Sequence, residues 1–525
     1  MTRPALRLSA GVLALLLILT LTFGAVLAIA AAGWRDGPTP ALSPADWRAL
    51  SFTLTQAFWS AALSLAGGLV LARALARRRF IGRGLAITLL GAPFLLPVIV
   101  AVLGIVAIWG RSGPLSAALE ALGGGKLDIY GLPGVLIAHV FFNLPLATRI
   151  FVQALAQIPS ERGRLAAQLG LTGRAYFHHV ERPALAAAAP GAFALIFLIC
   201  ASSFAAVLAL GGGPRATTLE LAIYQALRFD FDLARAALLA LCQMTLCMAI
   251  GAAALALSAP SGSDPGLGAP QRRWDDGGRG MDRTALIAAA LFLGAPMAAV
   301  LLRGGDAIIA GLPPQVWQAA GRSAALALGS ALLAMMLTAA IAALIVTAER
   351  RGTTATAKAV EGAAALALAT PPMVMGLGLF VMLRGWADPF ALALPITGAV
   401  NAAMALPFAL RMVLPALRQG TSSYGRLADQ LGLRGMAWAR HALWPLLRRP
   451  AGFAAGLAAA LSAGDLGVIA LFAPADAPTL PLLVHQLMGA YRMEAAAGAS
   501  LLLLALALGL FAACDLWGRW GDRHG

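Results

Sequence analysis

The sequence predicts an all-α polytopic membrane protein, and three observations carry that prediction. Hydrophobic residues make up 60% of the 525 positions and charged residues only 12%. A water-soluble chain this apolar lacks the polar groups to cover its surface. Apolar stretches of about 20 residues recur, the length at which an α-helix crosses hydrocarbon. Period-2 alternation is absent, and backbone groups in lipid must bond internally, so helices are the default.

Twelve membrane segments are expected, at 8–32, 51–75, 85–109, 133–157, 186–210, 233–259, 284–304, 318–347, 359–383, 392–417, 450–472 and 494–516. The first carries Ala28-Ile29-Ala30, which looks like a signal-peptide cleavage site. Its apolar run is about 25 residues, longer than the 7–15 of a typical signal core, so it reads as a retained helix. Within the segments lie Pro97, Pro145, Pro371, Pro372 and Pro407, each expected to kink its helix by removing a backbone bond. Cys200, Cys242, Cys247 and Cys514 all fall in apolar segments and read as packing residues rather than disulfide partners.

A formal charge of +16 first suggests nucleic acid, but its distribution excludes that class. If both termini share one side, the loops and ends on that side hold 25 Lys and Arg residues, against 8 on the other. That is the positive-inside rule, with both termini cytoplasmic and the lipid bilayer as the partner.

Residues 258–283 are rich in Gly, Pro, Ser and charge and read as a cytoplasmic linker. On either side the chain repeats itself. The run Arg164-Leu165-Ala166-Ala167-Gln168-Leu169-Gly170-Leu171 returns as Arg426-Leu427-Ala428-Asp429-Gln430-Leu431-Gly432-Leu433 at an offset of 262. Pro145, Arg149 and Pro183 return as Pro407, Arg411 and Pro445 at the same offset. Two parallel six-helix halves are expected, 1–257 and 284–525, related by an axis along the membrane normal.

Each half has one long loop on the basic side, 158–185 and 418–449. Leu165 and Leu169 sit at i, i+4 on a short helix that Gly170 ends, and Pro183 stops the segment before the next span. Leu427, Leu431, Gly432 and Pro445 repeat this layout. A short helix offering leucines to the cytosol suits docking in a partner's groove.

These loops resemble the signature of ABC importer permeases: Glu-Ala-Ala, three residues, Gly, nine residues, Ile, one residue, Leu-Pro. Gly170, Val180, Pro183 and Ala166 match it, as do Gly432, Pro445 and Ala428. Arg164 and Arg426 replace the Glu, Leu165 and Leu427 the first Ala, and Ala442 the Ile. The resemblance implies docking on a cytoplasmic ATPase, without the salt bridge attributed to that Glu. No G-x-x-x-x-G-K-[ST] phosphate loop is present; Gly123-Gly124-Gly125-Lys126 is followed by Leu127. ATP and Mg then belong to the partner, and this chain carries no cofactor. A twelve-helix secondary transporter is the rival reading, though such proteins usually show intramembrane ionisable residues, and Asp465 is the main one here.

The stretches Ala138–Arg149 and Leu210–Gln225, with Leu95–Val102 and Gly464–Gly467, resemble the fused permeases of bacterial thiamine ABC transporters. That resemblance implies a periplasmic thiamine-binding protein, a homodimeric cytoplasmic ATPase, an inner-membrane location and import of thiamine and its phosphates. Fused ferric-iron permeases share part of the Thr217–Gln225 pattern and remain the alternative. A cationic ring suits aromatic faces and a carboxylate, which Phe141, Phe142, Asn143 and Asp465 could supply. Phe141 and Phe142 read first as packing or lipid contact. Asp465, between Gly464 and Gly467, either lines the path or caps a helix break. His139 reads as structurally bonded. His178 and His179 lack helical metal-pair spacing, so neither a metal site nor a catalytic residue is assigned.

Overall fold

The computed structural model describes residues 3–35, 41–91, 95–211, 213–257, 278–368, 370–433, 435–473 and 477–520. Among these, every regular element is helical. The chain opens with α1 (Arg3–Leu19), a π-helical turn at Thr20–Gly24, α2 (Ala25–Arg35), α3 (Pro44–Arg77), α4 (Arg83–Leu89), α5 (Val98–Trp109), α6 (Pro114–Ala121) and α7 (Leu132–Ala156). It continues through α8 (Ser160–Gln168), α9 (Gly173–Tyr176), α10 (Arg182–Ala201), α11 (Ala205–Leu210), α12 (Leu219–Arg228) and α13 (Leu233–Leu257). Then follow α14 (Arg279–Ala310), α15 (Pro314–Arg350), α16 (Thr354–Ala365), α17 (Pro372–Leu383), α18 (Ala393–Gln430) and α19 (Met436–Trp438). The last are α20 (Trp444–Ala463), α21 (Gly467–Phe472), α22 (Leu480–Gly489) and α23 (Met493–Arg519). Residues 258–277 of the expected linker lie outside the described residues.

Among the described residues, eleven helical runs are long and apolar enough to cross a membrane, one fewer than the twelve expected. The difference is at 359–383, which is not one rod. Pro371 is extended (φ −60°, ψ 140°) and separates α17 from α16 and the short 3-10 turn at Leu366–Leu368. Pro97 (φ −58°, ψ 132°) likewise precedes α5 and parts it from α4. A proline at a helix start loses nothing, because its N–H would be unpaired there anyway. Pro145 and Pro407 instead lie inside the continuous α7 and α18.

Two π-helical turns, Phe177–Glu181 and Ala439–Leu443, stand immediately before α10 and α20. Each precedes a helix with proline in its first turn, Pro183 or Pro445. The N–H of Arg182 reaches back five residues to Phe177 O, and that of Trp444 to Ala439 O.

The early and late parts of the chain are packed through each other. Helix α1 lies on α15 and α2 on α17, while α14 lies on α3, α5 and α23. One core cluster therefore joins Ile18, Ile105, Phe141, Ile345, Leu406 and Phe472. Gly104 permits the α5–α14 crossing, because a Cβ there would fall 2.9 Å from the carbonyl carbon of Pro296. Gly104→Ala should cost about 1–3 kcal/mol by overpacking, read as a lower Tm in detergent. Gly509→Ala, where nothing lies within 4 Å, should leave Tm unchanged.

Candidate functional site

The two loops of the basic side are built alike. In the first, Leu169 N donates to Leu165 O (3.0 Å) and Leu171 N to Ala166 O (2.9 Å), with Gly170 left-handed at φ +63°. In the second, Leu431 N donates to Leu427 O (3.0 Å) and Leu433 N to Ala428 O (2.8 Å), with Gly432 at φ +65°. This pairing closes a helix C-terminus on a residue without Cβ. The leucines point out: Leu165 is 56% exposed, Leu169 64%, Leu427 50% and Leu431 65%. Ala166 and Ala428 are buried and face the body of the protein. Arg164 is exposed, while the Arg426 side chain lies outside the described residues.

One arrangement differs. The second loop helix is the end of the 38-residue α18, whereas α8 is separated from α7. Ion pairs brace both loops. Arg73 Nε donates to Glu181 Oε2 at 2.8 Å and its guanidinium lies 4.2 Å over the Phe177 ring. Arg418 joins Glu349 (2.6 Å) and Glu361 (2.8 Å), holding α18 to α15 and α16. Beside Leu427 and Leu431 lies a groove of about 340 Å³ floored by Trp438 and Pro445.

A second locus lies within the membrane segments. The expected spans 186–210 and 450–472 are each interrupted, at Ser202–Phe204 between α10 and α11 and at Gly464–Leu466 between α20 and α21. The exposed ends of backbone find buried partners. Gln56 Nε2 donates to Cys200 O (2.8 Å) and Gln243 Nε2 to Ala201 O (3.0 Å). His139 bridges Ser60 Oγ (3.0 Å) and Ser203 Oγ (2.8 Å), consistent with the structural role expected of it. Leu219 N donates to Thr53 Oγ1 (2.9 Å) and Leu480 N to Ser323 Oγ (2.8 Å), starting α12 and α22.

Asp465 Oδ1 accepts from Gly467 N at 3.1 Å and so caps α21, while its Oδ2 is buried without a hydrogen-bond partner. A Cβ on Gly464 would meet Pro97 at 3.0 Å, and one on Gly467 would lie 3.9 Å from both Met373 and Phe204. The break that holds Asp465 therefore abuts the starts of α5 and α17 and the break before α11.

The other expected path residues have partners of their own. Phe141 is buried against Phe142 and Phe292, with ring centres 5.4 and 6.2 Å away. Asn143 is spent on His139 O (2.8 Å) and Cys200 Sγ (3.3 Å). Sequence reasoning assigned no role to Glu220, which is 0% exposed in the first turn of α12 with neither carboxylate oxygen hydrogen-bonded. A lone Glu in the apolar run 219–227 was the signal.

No protein-family model matches the chain. It is 42% identical over 521 residues to the thiamine transport system permease protein ThiP of Brucella abortus, covering 98% of this chain and 95% of that one. The protein of the same name from Salmonella typhimurium is 39% identical, with 95% of each chain covered. That from Escherichia coli K12 is 40% identical, covering 89% of this chain and 88% of its own. The chain belongs to the thiamine transport system permease family. It is thus a multi-pass inner-membrane permease, and two of the stretches that carried the resemblance meet at the first helix break, where Tyr224 lies edge-on to Phe204 with ring centres 5.3 Å apart. From Ala138–Arg149, His139 holds Ser203; from Leu210–Gln225, Thr218 Oγ1 accepts from Leu221 N at 3.4 Å at the start of α12.

In this permease, Gln243→Leu leaves the Ala201 carbonyl buried and unpaired. It should cost about 1–3 kcal/mol, measured as a drop in Tm, whereas exposed Ser422→Ala should be silent.

Proposed function

We propose that this permease moves thiamine, and its phosphates, from periplasm to cytoplasm as the membrane subunit of an ATP-driven importer. The observation that carries the reading is near-full-length identity of 39–42% to thiamine transport permeases, which favours thiamine over ferric iron. The partners are a periplasmic thiamine-binding protein and a homodimeric cytoplasmic ATPase that binds ATP and Mg. Two loops with the same glycine geometry and the same exposed leucine pair suit the two equivalent subunits of such an ATPase. Coupling falls to Arg164, Leu165, Ala166, Leu169, Gly170 and Pro183 in one loop, and to their counterparts Arg426 to Pro445 in the other.

The two-half reading gains support from geometry at one offset. The π-turns at 177 and 439, the left-handed glycines 170 and 432, and the helix ends 201 and 463 all differ by 262. The 25-to-8 basic split supports cytoplasmic termini and loops. Asp465 supplies the carboxylate of the path, facing a cation between the halves, with the aromatic faces of Phe141 and Phe142 as packing support.

Labelled thiamine at nanomolar concentration should enter cells carrying this gene and its partners and fail to enter the deletion strain. Loss of ferric-iron uptake with thiamine uptake intact contradicts the assignment. Gly432→Val should uncouple transport and abolish substrate-stimulated ATP hydrolysis, because a β-branched residue resists positive φ. Gly432→Asn, which tolerates that region, should retain most activity. For topology, Arg164→Cys should be labelled by a membrane-impermeant thiol reagent only from the cytosolic side.

A further inference from the structure

Two clefts away from the helix breaks share the same three helices, and the lower one is also walled by residues of the first loop, among them Pro159, Gly163 and Glu181. The upper one, about 670 Å³, lies between α3, α7 and α14 and is lined wholly by apolar residues and glycine, among them Val70, Leu144, Ala288 and Leu291. Its far end is closed by Trp109 against Phe292, ring centres 5.3 Å apart. The lower one, about 910 Å³, lies where α3 and α7 end and α14 begins. Six arginines line it: Arg77, Arg78, Arg79, Arg83, Arg279 and Arg283.

The two clefts are neighbours along the helices, parted by the packed side chains of Leu75, Val152 and Leu286. Leu71 lines the upper and Ala76 the lower on α3; Ala285 lines the upper and Leu286 the lower on α14. On α14 the apolar lining runs from 285 to 295, about 15 Å at ~1.5 Å per residue. That is half of a ~30 Å hydrocarbon core, the depth of one leaflet. Carboxylates only partly offset the arginines. Glu181 is held by Arg73, and the buried Asp282 by Arg78 (2.8 Å) and Arg77 (3.6 Å). Arg79 and Arg283 are exposed at the cleft.

We propose that these clefts form one binding site for an anionic phospholipid, with an acyl chain in the apolar cleft and the phosphate among the arginines. Basic pockets between membrane helices take anionic headgroups, and guanidinium forks match phosphate oxygens. An acidic protein surface would satisfy the arginines but leave the adjoining leaflet-deep cleft unexplained. The site lies on the same side as the coupling loops, so its assignment to the cytoplasmic leaflet rests on the topology proposed above. The lipid binding itself does not.

Native mass spectrometry of the full chain in detergent, titrated with phosphatidylglycerol or phosphatidylcholine, tests it. Phosphatidylglycerol should bind at least about tenfold more tightly, and Arg79→Gln with Arg283→Gln should weaken it roughly 30-fold. Ala288→Trp, which fills the apolar cleft and leaves every arginine in place, should also displace the lipid, and it decides the matter if the arginine variant fails to fold. Inorganic phosphate at the same concentration should not compete. Equal binding of the two lipids, wild-type affinity in both variants, or displacement by phosphate alone would overturn the proposal. Labelling of Arg164→Cys from outside would move the site to the other leaflet and leave these affinities unchanged.

Discussion

Breaking a helix inside hydrocarbon frees backbone groups that no water can satisfy, and each unpaired group costs several kcal/mol. The interior of this permease is organised around that constraint. Two spans are interrupted at Ser202–Phe204 and Gly464–Leu466, and buried polar side chains bond the backbone around both. Gln56 and Gln243 take the last carbonyls of α10, Thr53 and Ser323 take the first amides of α12 and α22, and Asp465 caps α21. Cross-links between the two parts of the chain serve the same end. Arg228 from α12 donates to Ala473 O at the end of α21 at 3.2 Å. Irregular backbone at membrane depth is tolerated where it is enclosed by protein or lines a cavity, so the breaks mark where a polar solute can be met.

The breaks and the two glycine-ended loops are joined by continuous helices. Helix α10 runs from the π-turn after the first loop to the first break, and α20 does the same for the second. A displacement of either loop is thus delivered along one rigid helix to the residues beside Pro97, Met373 and Asp465. Because α1 and α14 reach across to the other part of the chain, such a displacement cannot be absorbed by one half alone. Close-packed interfaces shift between discrete arrangements rather than deforming, which suits alternating access.

The loops were legible in the sequence because their geometry is local. A glycine after an i, i+4 leucine pair needs no distant partner to define a helix end, and Gly170 and Gly432 adopt the left-handed turn that this pattern requires. The interruption at Ser202–Phe204 was not legible, and that at Gly464–Leu466 was legible only as one of two readings of Asp465 between its glycines. Ser202-Ser203 and Gly464-Asp465 lie inside apolar runs of ordinary length, and hydropathy averages over them. What holds the first of them is the placement of Gln56, Gln243 and His139, which lie 144, 42 and 64 residues away from their partners in the chain. Pro371 was read as a kink; it starts a helix, because the residues before it have no continuous rod to bend. Phe141, Asn143 and Asp465 were grouped by their chemistry, which carries no information on their packing.

An ATP-driven cycle and a gradient-driven one make opposite demands on this chain. The former needs two docking loops and a neutral passage, the latter a titrating or ion-binding group that changes state at each turnover. The matched leucine pairs favour ATP, and the enclosed Asp465 and Glu220 make the distinction worth measuring. The direct measurement is thiamine accumulation in sealed proteoliposomes holding the permease and its ATPase, with binding protein on the side opposite the docking loops. Accumulation against a gradient should begin only with ATP and Mg on the loop side, whatever the proton or sodium gradient. Accumulation driven by either ion gradient without ATP would contradict the account.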